Sequence, residues 1–252
     1  MKELDQRVSI VTGAARGIGL GIVEALLSKG AIVVMTDILQ DLGEASARAL
    51  ADQGHRVRFI EHDVSEKEAW QKVFNETLAS YGGVDVLVNN AGVAPPADIE
   101  TVEADEFRKV LDVNLIGPLM GMQLAIKNMK KTGGGSIINV SSNSTVQVMQ
   151  TTGIYSPSKA ALANLTKVAA VHCARENLNI RVNSLHPGAS RTPMITDQFP
   201  PDLLKALEEA NPMGRLAEPI ELGQVVAFLA SDAASFVNGA EYFVDGGATL
   251  TQ

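Results

Sequence analysis

The chain has 252 residues, 46% of them hydrophobic, with 21 basic against 29 acidic side chains and a formal net charge of -8. It is long enough to bury a full core, and the acidic balance without any Lys/Arg cluster argues against nucleic acid or an anionic membrane as partner. Cys173 is the sole cysteine, which excludes an intrachain disulfide and a cysteine-based zinc site; with no leader-like start and no long apolar stretch, a cytoplasmic protein is expected.

The first apolar run, RVSIVT (7–12), feeds directly into TGAARGIG, with Gly13, Gly17 and Gly19 in the turn and a helical pattern starting at once. Glycines there permit a sharp turn and let backbone N–H groups and a helix N-terminus approach a diphosphate. The second run, AIVVMTD (31–37), ends on Asp37, about 20 residues past that turn, where an acid meets the hydroxyls of an adenosine ribose. Such a carboxylate accepts from the diol and repels a 2′-phosphate by roughly 4 kcal/mol per unit charge at about 4 Å and an effective dielectric of about 20. Ile38 and Leu39 offer no compensating cation, so the expected cofactor is NAD (NADH) rather than NADP, with Arg16 as a partial counterweight.

Further runs follow at RVRFIEHD (56–63), VDVLVNN (84–90), SIINVSS (136–142), IRVNSL (180–185) and EYFVDG (241–246). Between them lie segments such as SEKEAWQKVFNETLASYG, whose apolar residues recur every three or four positions, with Trp70 on the core face. This alternation predicts an α/β fold: a single Rossmann-type domain, with a doubly wound seven-stranded parallel sheet and helices on both faces. The Pro-rich interval at about 189–215 breaks the rhythm and is expected to be a substrate lid. The segment SKAALANLTKVAAVHCAREN carries small residues on several faces, which predicts a helix buried nearly all round, partly against a second copy of the chain. His172 and Cys173 within it are expected to pack.

Tyr155 precedes Lys159 by four residues, which on a helix stacks a phenol and an ammonium over one small volume. A phenol with a pKa near 10 is a poor base near neutrality. An ammonium about 4.5 Å away at an effective dielectric of about 20 is worth roughly 3.7 kcal/mol, enough to bring it toward 7. Ser142, 13 residues earlier, is placed to hold a substrate oxygen, with Ser141 as the adjacent competitor.

TGAARGIG, NNAG (89–92), Asn114 in DVNLIG, Ser142 in INVSS, Tyr155-x-x-x-Lys159 and HPGASRT (186–192), in that order, resemble the short-chain dehydrogenase/reductase family from about Val8 to the C-terminus. The resemblance implies a tetrad of Asn114, Ser142, Tyr155 and Lys159, in which Tyr155 is the acid/base and the Asn114 backbone carbonyl holds a water linked to the lysine. It further implies cofactor contacts at Gly13, Arg16, Gly17, Ile18, Gly19, Asp37, Asp63, Val64, Asn90, Ala91, Gly92, Tyr155, Lys159, Pro187, Gly188 and Thr192. Ser190 departs from the Val or Ile common in the family. Pro157 is tolerable only if Tyr155 lies in the first helical turn. A tetramer is the family expectation, and the terminal Gln252 resembles the ending of relatives in which the C-terminus helps bind a divalent ion.

Ser142, Ser144, Met149, Thr152, Tyr155 and Met194 are the expected substrate contacts, in a pocket whose Val146, Val148, Ile154, Ile195 and Phe199 are also apolar. No Arg or Lys lies between Ser142 and Tyr155 to clamp an anion, leaving Arg191 as the one candidate, and no metal site is expected. A neutral secondary alcohol and its ketone are the expected pair. A 3-oxoacyl thioester reductase using NADPH shares these motifs, and a catalytically idle NAD-binding or scaffold protein is the alternative of another class. His186 is expected to be non-catalytic.

Overall fold

The computed structural model describes residues 3–197 and 200–251, so the expectations for Phe199 and Gln252 lie outside the described residues. In chain order the elements are β1 (Val8–Thr12), α1 (Gly17–Ser28), β2 (Ile32–Asp37), α2 (Gln40–Asp52), β3 (Val57–Glu61), α3 (Lys67–Tyr81), β4 (Val86–Asn89), α4 (Ala104–Leu111), α5 (Gly117–Thr132), β5 (Gly135–Val140), α6 (Tyr155–Arg175), β6 (Ile180–Pro187), α7 (Pro193–Thr196), α8 (Pro201–Ala210), α9 (Pro219–Ala230) and β7 (Glu241–Val244). The seven strands form one sheet in the order β3-β2-β1-β4-β5-β6-β7, every pairing parallel. The chain winds outward from β1 to β3 and then returns to lay β4 on the other side of β1. That reversal opens a crevice at the carboxyl ends of the strands, the place where ligands bind in such sheets.

Strands buried on both faces need β-branched runs rather than alternation, and β1 is VSIVT with all of its residues buried. Alternate residues feed opposite cores. Val11, Val33 and Met35 pack under α1, α2 and α9, whereas Ile10 and Val34 join Trp70, Phe74, Met129 and Cys173 beneath α3, α5 and α6. Helices α1 and α9 lie so close that a Cβ on Gly223 would stand 2.3 Å from the Gly21 carbonyl oxygen. Trp70 is fully buried, its ring N–H donating to the Val64 carbonyl at 2.9 Å.

Two expectations shift, the strand ends and the interval after β6. Residues His62, Asp63, Asn90, Ser141 and Ser142 fall just beyond their strands, because the chain turns there at the lip of the crevice. Within the single chain helix α6 turns Leu162, Thr166, Ala170 and Cys173 inward and leaves Val168, Val171 and His172 exposed, on the side expected to meet a second copy. The 3.6-residue period sets His172 away from the sheet. The interval after β6 is also more structured than a loop, containing α7 and α8. Among the described residues no helix is long and apolar enough to cross a membrane.

Candidate active site

The glycine turn after β1 is built around contacts that exclude side chains. Gly13 has φ +63°, and a Cβ there would lie 2.8 Å from the Ala91 Cα; on Gly19 it would lie 2.0 Å from the Gly13 carbonyl oxygen. Thr12 Oγ1 accepts from the backbone N–H groups of Asn90 and Ala91, both at 3.0 Å. The Asn90 side chain donates to the carbonyls of Thr12 and Gly13 at 2.9 and 3.0 Å, which stitches the β1 and β4 turns together. Helix α1 begins at Gly17 behind Arg16, with no side-chain cap. The first-turn N–H groups, including those of Ile18 and Gly19, thus face the crevice at the positive end of the helix dipole without a side-chain competitor.

Asp37 closes β2 with Oδ2 accepting from Ala15 N at 3.0 Å and Oδ1 from Leu39 N at 3.1 Å. Two backbone donors fix the carboxylate while leaving lone pairs for a diol. Ile38, beside it, is 64% exposed and carries no charge. Asp63 folds its carboxylate onto Ser65, accepting from the backbone N–H at 2.9 Å and the hydroxyl at 2.7 Å. Val64 is buried, so both lie at the end of β3 but their side chains shape the turn. Thr192 caps α7 beside Gly17, where an added Cβ would meet the Thr192 Cβ at 3.4 Å. Pro187 ends β6 at the same lip, and Gly188 follows with room for no Cβ against Asp245. Glycine cradle, uncapped helix and fixed carboxylate fit a dinucleotide.

Across the crevice, α6 starts at Tyr155, so Pro157 falls in its first turn. Lys159 is 3% exposed; its Nζ donates to the Val140 carbonyl at 2.8 Å and lies 5.9 Å from the Tyr155 ring centroid. Burial lowers its pKa to about 8. Burial also pushes the Tyr155 phenol up, while a hydrogen bond from Ser142 pulls it down. Among the protein's own groups the largest influence on the Tyr155 phenol is thus its desolvation, and the group that opposes it is the Ser142 hydroxyl. Gly92 matters at this point, since a Cβ would press to 3.1 Å from Nζ.

Asn114 sits in a π-helical turn, Asp112–Ile116, between α4 and α5. Its side chain is consumed by structure: Oδ1 accepts from Val93 N, and Nδ2 donates to Val93 O at 2.9 Å and Ser158 Oγ at 3.0 Å. Ser158 in turn donates to the Tyr155 carbonyl at 2.7 Å. This Asn114–Ser158–Tyr155 chain is absent from the sequence reading, although Ser158 stands next to Lys159 in the same motif. Ser141 is separated from Ser142 by its bond, donating to the Lys159 carbonyl at 2.9 Å. Ser142 Oγ accepts from Ser144 N at 3.1 Å, which leaves its own proton for the Tyr155 side of the crevice.

The expected substrate contacts divide. Ser144 is buried with an unpaired Oγ, and Met149 and Met194 are 58% and 42% exposed. Thr152 differs: its hydroxyl donates to Met149 O at 2.6 Å and accepts from Ser156 at 2.8 Å, because it closes the 149–152 turn. Its hydroxyl serves the loop before any ligand. Arg191 is committed to Glu208 at 2.7 Å and Glu218 at 3.0 Å, tying the start of the lid to α8 and to the cap of α9. Ser190 satisfies its buried hydroxyl on the Gly188 carbonyl at 3.0 Å.

Comparison with known proteins agrees with this geometry. A family model described as enoyl-(acyl carrier protein) reductase matches residues 13–249. The chain is 39% identical over 247 residues to an NADP-dependent (R)-specific alcohol dehydrogenase of Lentilactobacillus kefiri, covering 98% of each. It is 40% identical over 241 residues to a 3-alpha-(or 20-beta)-hydroxysteroid dehydrogenase of Mycobacterium bovis, covering 96% of this chain and 88% of that one. A crystal structure of gox2181 superposes with a TM-score of 0.94 at 33% identity, covering 98% and 97% of the two chains. On fold, site architecture and near full-length kinship, the chain is an oxidoreductase that belongs to the short-chain dehydrogenase/reductase family.

Proposed function

We propose that the protein interconverts a neutral secondary alcohol and its ketone with NAD(H). The observation that carries this reading is the convergence of Ser142, Tyr155 and Lys159 on one lip of a crevice whose other lip fits a dinucleotide. Bound there, a nicotinamide would accept a hydride from the carbinol carbon in oxidation and return it in reduction.

The chain's own groups do the rest. Gly13, Gly17, Ile18 and Gly19 hold the diphosphate on the helix N-terminus, with Arg16 beside it, and Asp37 takes the ribose diol. With substrate bound, Ser142 turns its proton from the Tyr155 phenol to the substrate oxygen and so aligns it on Tyr155. Tyr155 takes the hydroxyl proton during oxidation and gives it back during reduction. Lys159 holds the nicotinamide ribose and, with oxidised cofactor, supplies the positive field that offsets the desolvation of the phenol. Asn114 lies in a π-turn, and by family resemblance its backbone carbonyl holds a water linked to Lys159.

Preference for NAD rests on Asp37 and not on kinship, since the Lentilactobacillus kefiri relative is named NADP-dependent. Neutrality of the substrate is supported by Arg191, whose charge is already paired, and by the exposed apolar side chains Val146, Val148 and Met149 at the mouth. The exposed valines of α6 support assembly into a homo-oligomer, a tetramer in this reading, and light scattering giving a monomeric mass at micromolar concentration refutes it. The buried, unpaired Cys173 suits a reducing cytoplasm.

The test is a spectrophotometric screen of cyclic and aryl secondary alcohols with NAD and NADP in parallel, on the wild type and on Tyr155→Phe. Turnover with NAD that disappears in the phenylalanine variant is expected. Undiminished turnover by Tyr155→Phe overturns the mechanism, and turnover confined to NADPH with acetoacetyl thioesters overturns the substrate class.

A further inference from the structure

His186, set aside above as non-catalytic, is fully buried near the end of β6 and pairs across the sheet with Phe243 of β7, ring centroids 4.6 Å apart. Its Nδ1 lies 3.0 Å from the carbonyl oxygen of Ser142, and its Nε2 lies 2.9 Å from Ser184 Oγ. We propose that His186 is a positioning residue for the active site: as the neutral Nδ1–H tautomer it clamps the Ser142 main chain and thereby aims the Ser142 hydroxyl. This rests on the assignment of Ser142 to the substrate oxygen.

The tautomer follows from the partners. A carbonyl has no proton to give, so a hydrogen bond at Nδ1 requires the proton to sit there. Nε2 is then bare and receives the Ser184 hydroxyl. The opposite tautomer would set the Nδ1 lone pair against the Ser142 carbonyl at 3.0 Å and would send the Ser184 proton toward the Ala240 carbonyl at a poor 3.5 Å. Thr145 reinforces the clamp, donating to the same Ser142 carbonyl from its hydroxyl at 3.0 Å and its backbone N–H at 3.3 Å. The Thr145 hydroxyl also lies 3.2 Å from Nδ1, which makes the three groups one cluster.

Such a clamp has a clear task. Ser142 stands two residues beyond the end of β5, in extended conformation before a 3-10 turn, and no sheet pairing holds it. With the carbonyl gripped by His186 and Thr145, and Oγ accepting from Ser144 N, the remaining freedom of the side chain is the direction of its proton. Burial lowers the pKa of the imidazole, against the Ser142 carbonyl and Glu241 and together with Lys167 and Lys159, so the ring stays uncharged beside Lys159. Misplacing a catalytic group by a fraction of an ångström costs rate rather than fold.

The test uses the full chain in four variants: His186→Asn, whose amide nitrogen can stand where Nδ1 stands; His186→Gln, whose amide reaches the Ser184 side instead; Ser142→Ala; and the double variant His186→Gln/Ser142→Ala. His186→Asn is expected to retain kcat within about threefold, and His186→Gln to lose about tenfold or more in kcat with KM for NAD unchanged. In the Ser142→Ala background, the His186→Gln substitution should cost nothing further. Equal losses for Asn and Gln, or the same fold-loss by His186→Gln with and without the Ser142 hydroxyl, overturn the inference. Unimpaired turnover by Ser142→Ala alone instead overturns the assignment of Ser142. Should His186→Gln fail to fold, 15N NMR of the wild-type imidazoles decides: protonated Nδ1 is expected, and protonated Nε2 refutes the clamp.

Discussion

Lys159 is the group whose presence is hardest to justify on stability alone, which makes Lys159→Met a sharp test of the site's electrostatics. Burial lowers the ammonium from 10.5 to about 8, a cost on the order of 3 kcal/mol. Between pH 8 and 10.5 the unfolded chain keeps a proton that the folded chain has released, so stability rises with pH across that window. Below pH 8 the cost of the buried charge is present in full, and above 10.5 it is gone. Replacing the side chain by methionine removes that cost while withdrawing a donor from the Val140 carbonyl, an offset of roughly 1 kcal/mol. The variant is therefore expected to be more stable than wild type by about 2 kcal/mol at pH 7, or about 4 to 8 °C in Tm for a chain of this size, and inactive.

The assay is thermal and urea unfolding without added nucleotide, at one protomer concentration, at pH 7, 9 and 10.5, because both oligomerisation and ligand shift the apparent midpoint. The gap between variant and wild type should shrink steadily as pH rises. A methionine variant no more stable than wild type at pH 7, or a gap that does not change with pH, refutes the reasoning that Lys159 is held against its own desolvation for the sake of the site.

Asp37→Asn keeps an acceptor for Ala15 and Leu39 but removes the charge facing the adenosine 2′ position; kcat/KM for NADP should rise about a hundredfold relative to NAD in steady-state kinetics, and an unchanged ratio counts against Asp37 as the selector. Gly19→Ala places a methyl where 2.0 Å separates Cβ from the Gly13 carbonyl, so NADH affinity by fluorescence titration should fall more than tenfold while the circular dichroism spectrum holds; tight binding means that the turn relaxes freely. Arg191→Met cuts the lid loose from Glu208 and Glu218; limited proteolysis within 197–210 should accelerate and KM for the alcohol should rise more than kcat falls. A lid equally resistant to protease after the substitution shows that these ion pairs do not hold it.

Much of the fold was legible in the residues because its signals are local. Buried parallel strands demand β-branched runs such as VSIVT and IVVMTD, glycines mark the first strand-to-helix turn, where no Cβ fits, and helical periodicity sets Trp70 inward. The Tyr155–Lys159 pair was equally readable, since four residues on a helix define a distance. Less legible was whatever depended on what packs against a segment. Which side of α6 faces the sheet follows from the strands beneath it, and composition does not tell it. Nor does the sequence tell that the Thr152 hydroxyl also closes its own turn.

By itself the sequence determined the α/β class, the dinucleotide turn and the chemical types available to the reaction, because each follows from short-range stereochemistry or from residue identity. Only the tertiary structure decided which neutral groups orient the charged ones: the Asn114–Ser158 chain onto Tyr155, the Val140 carbonyl on Lys159 and the His186 ring beneath Ser142. It also set burial of the Tyr155 phenol against the Ser142 hydroxyl. Desolvation and hydrogen bonding depend on every atom within a few ångströms, and those atoms come from strands and loops far apart in the chain.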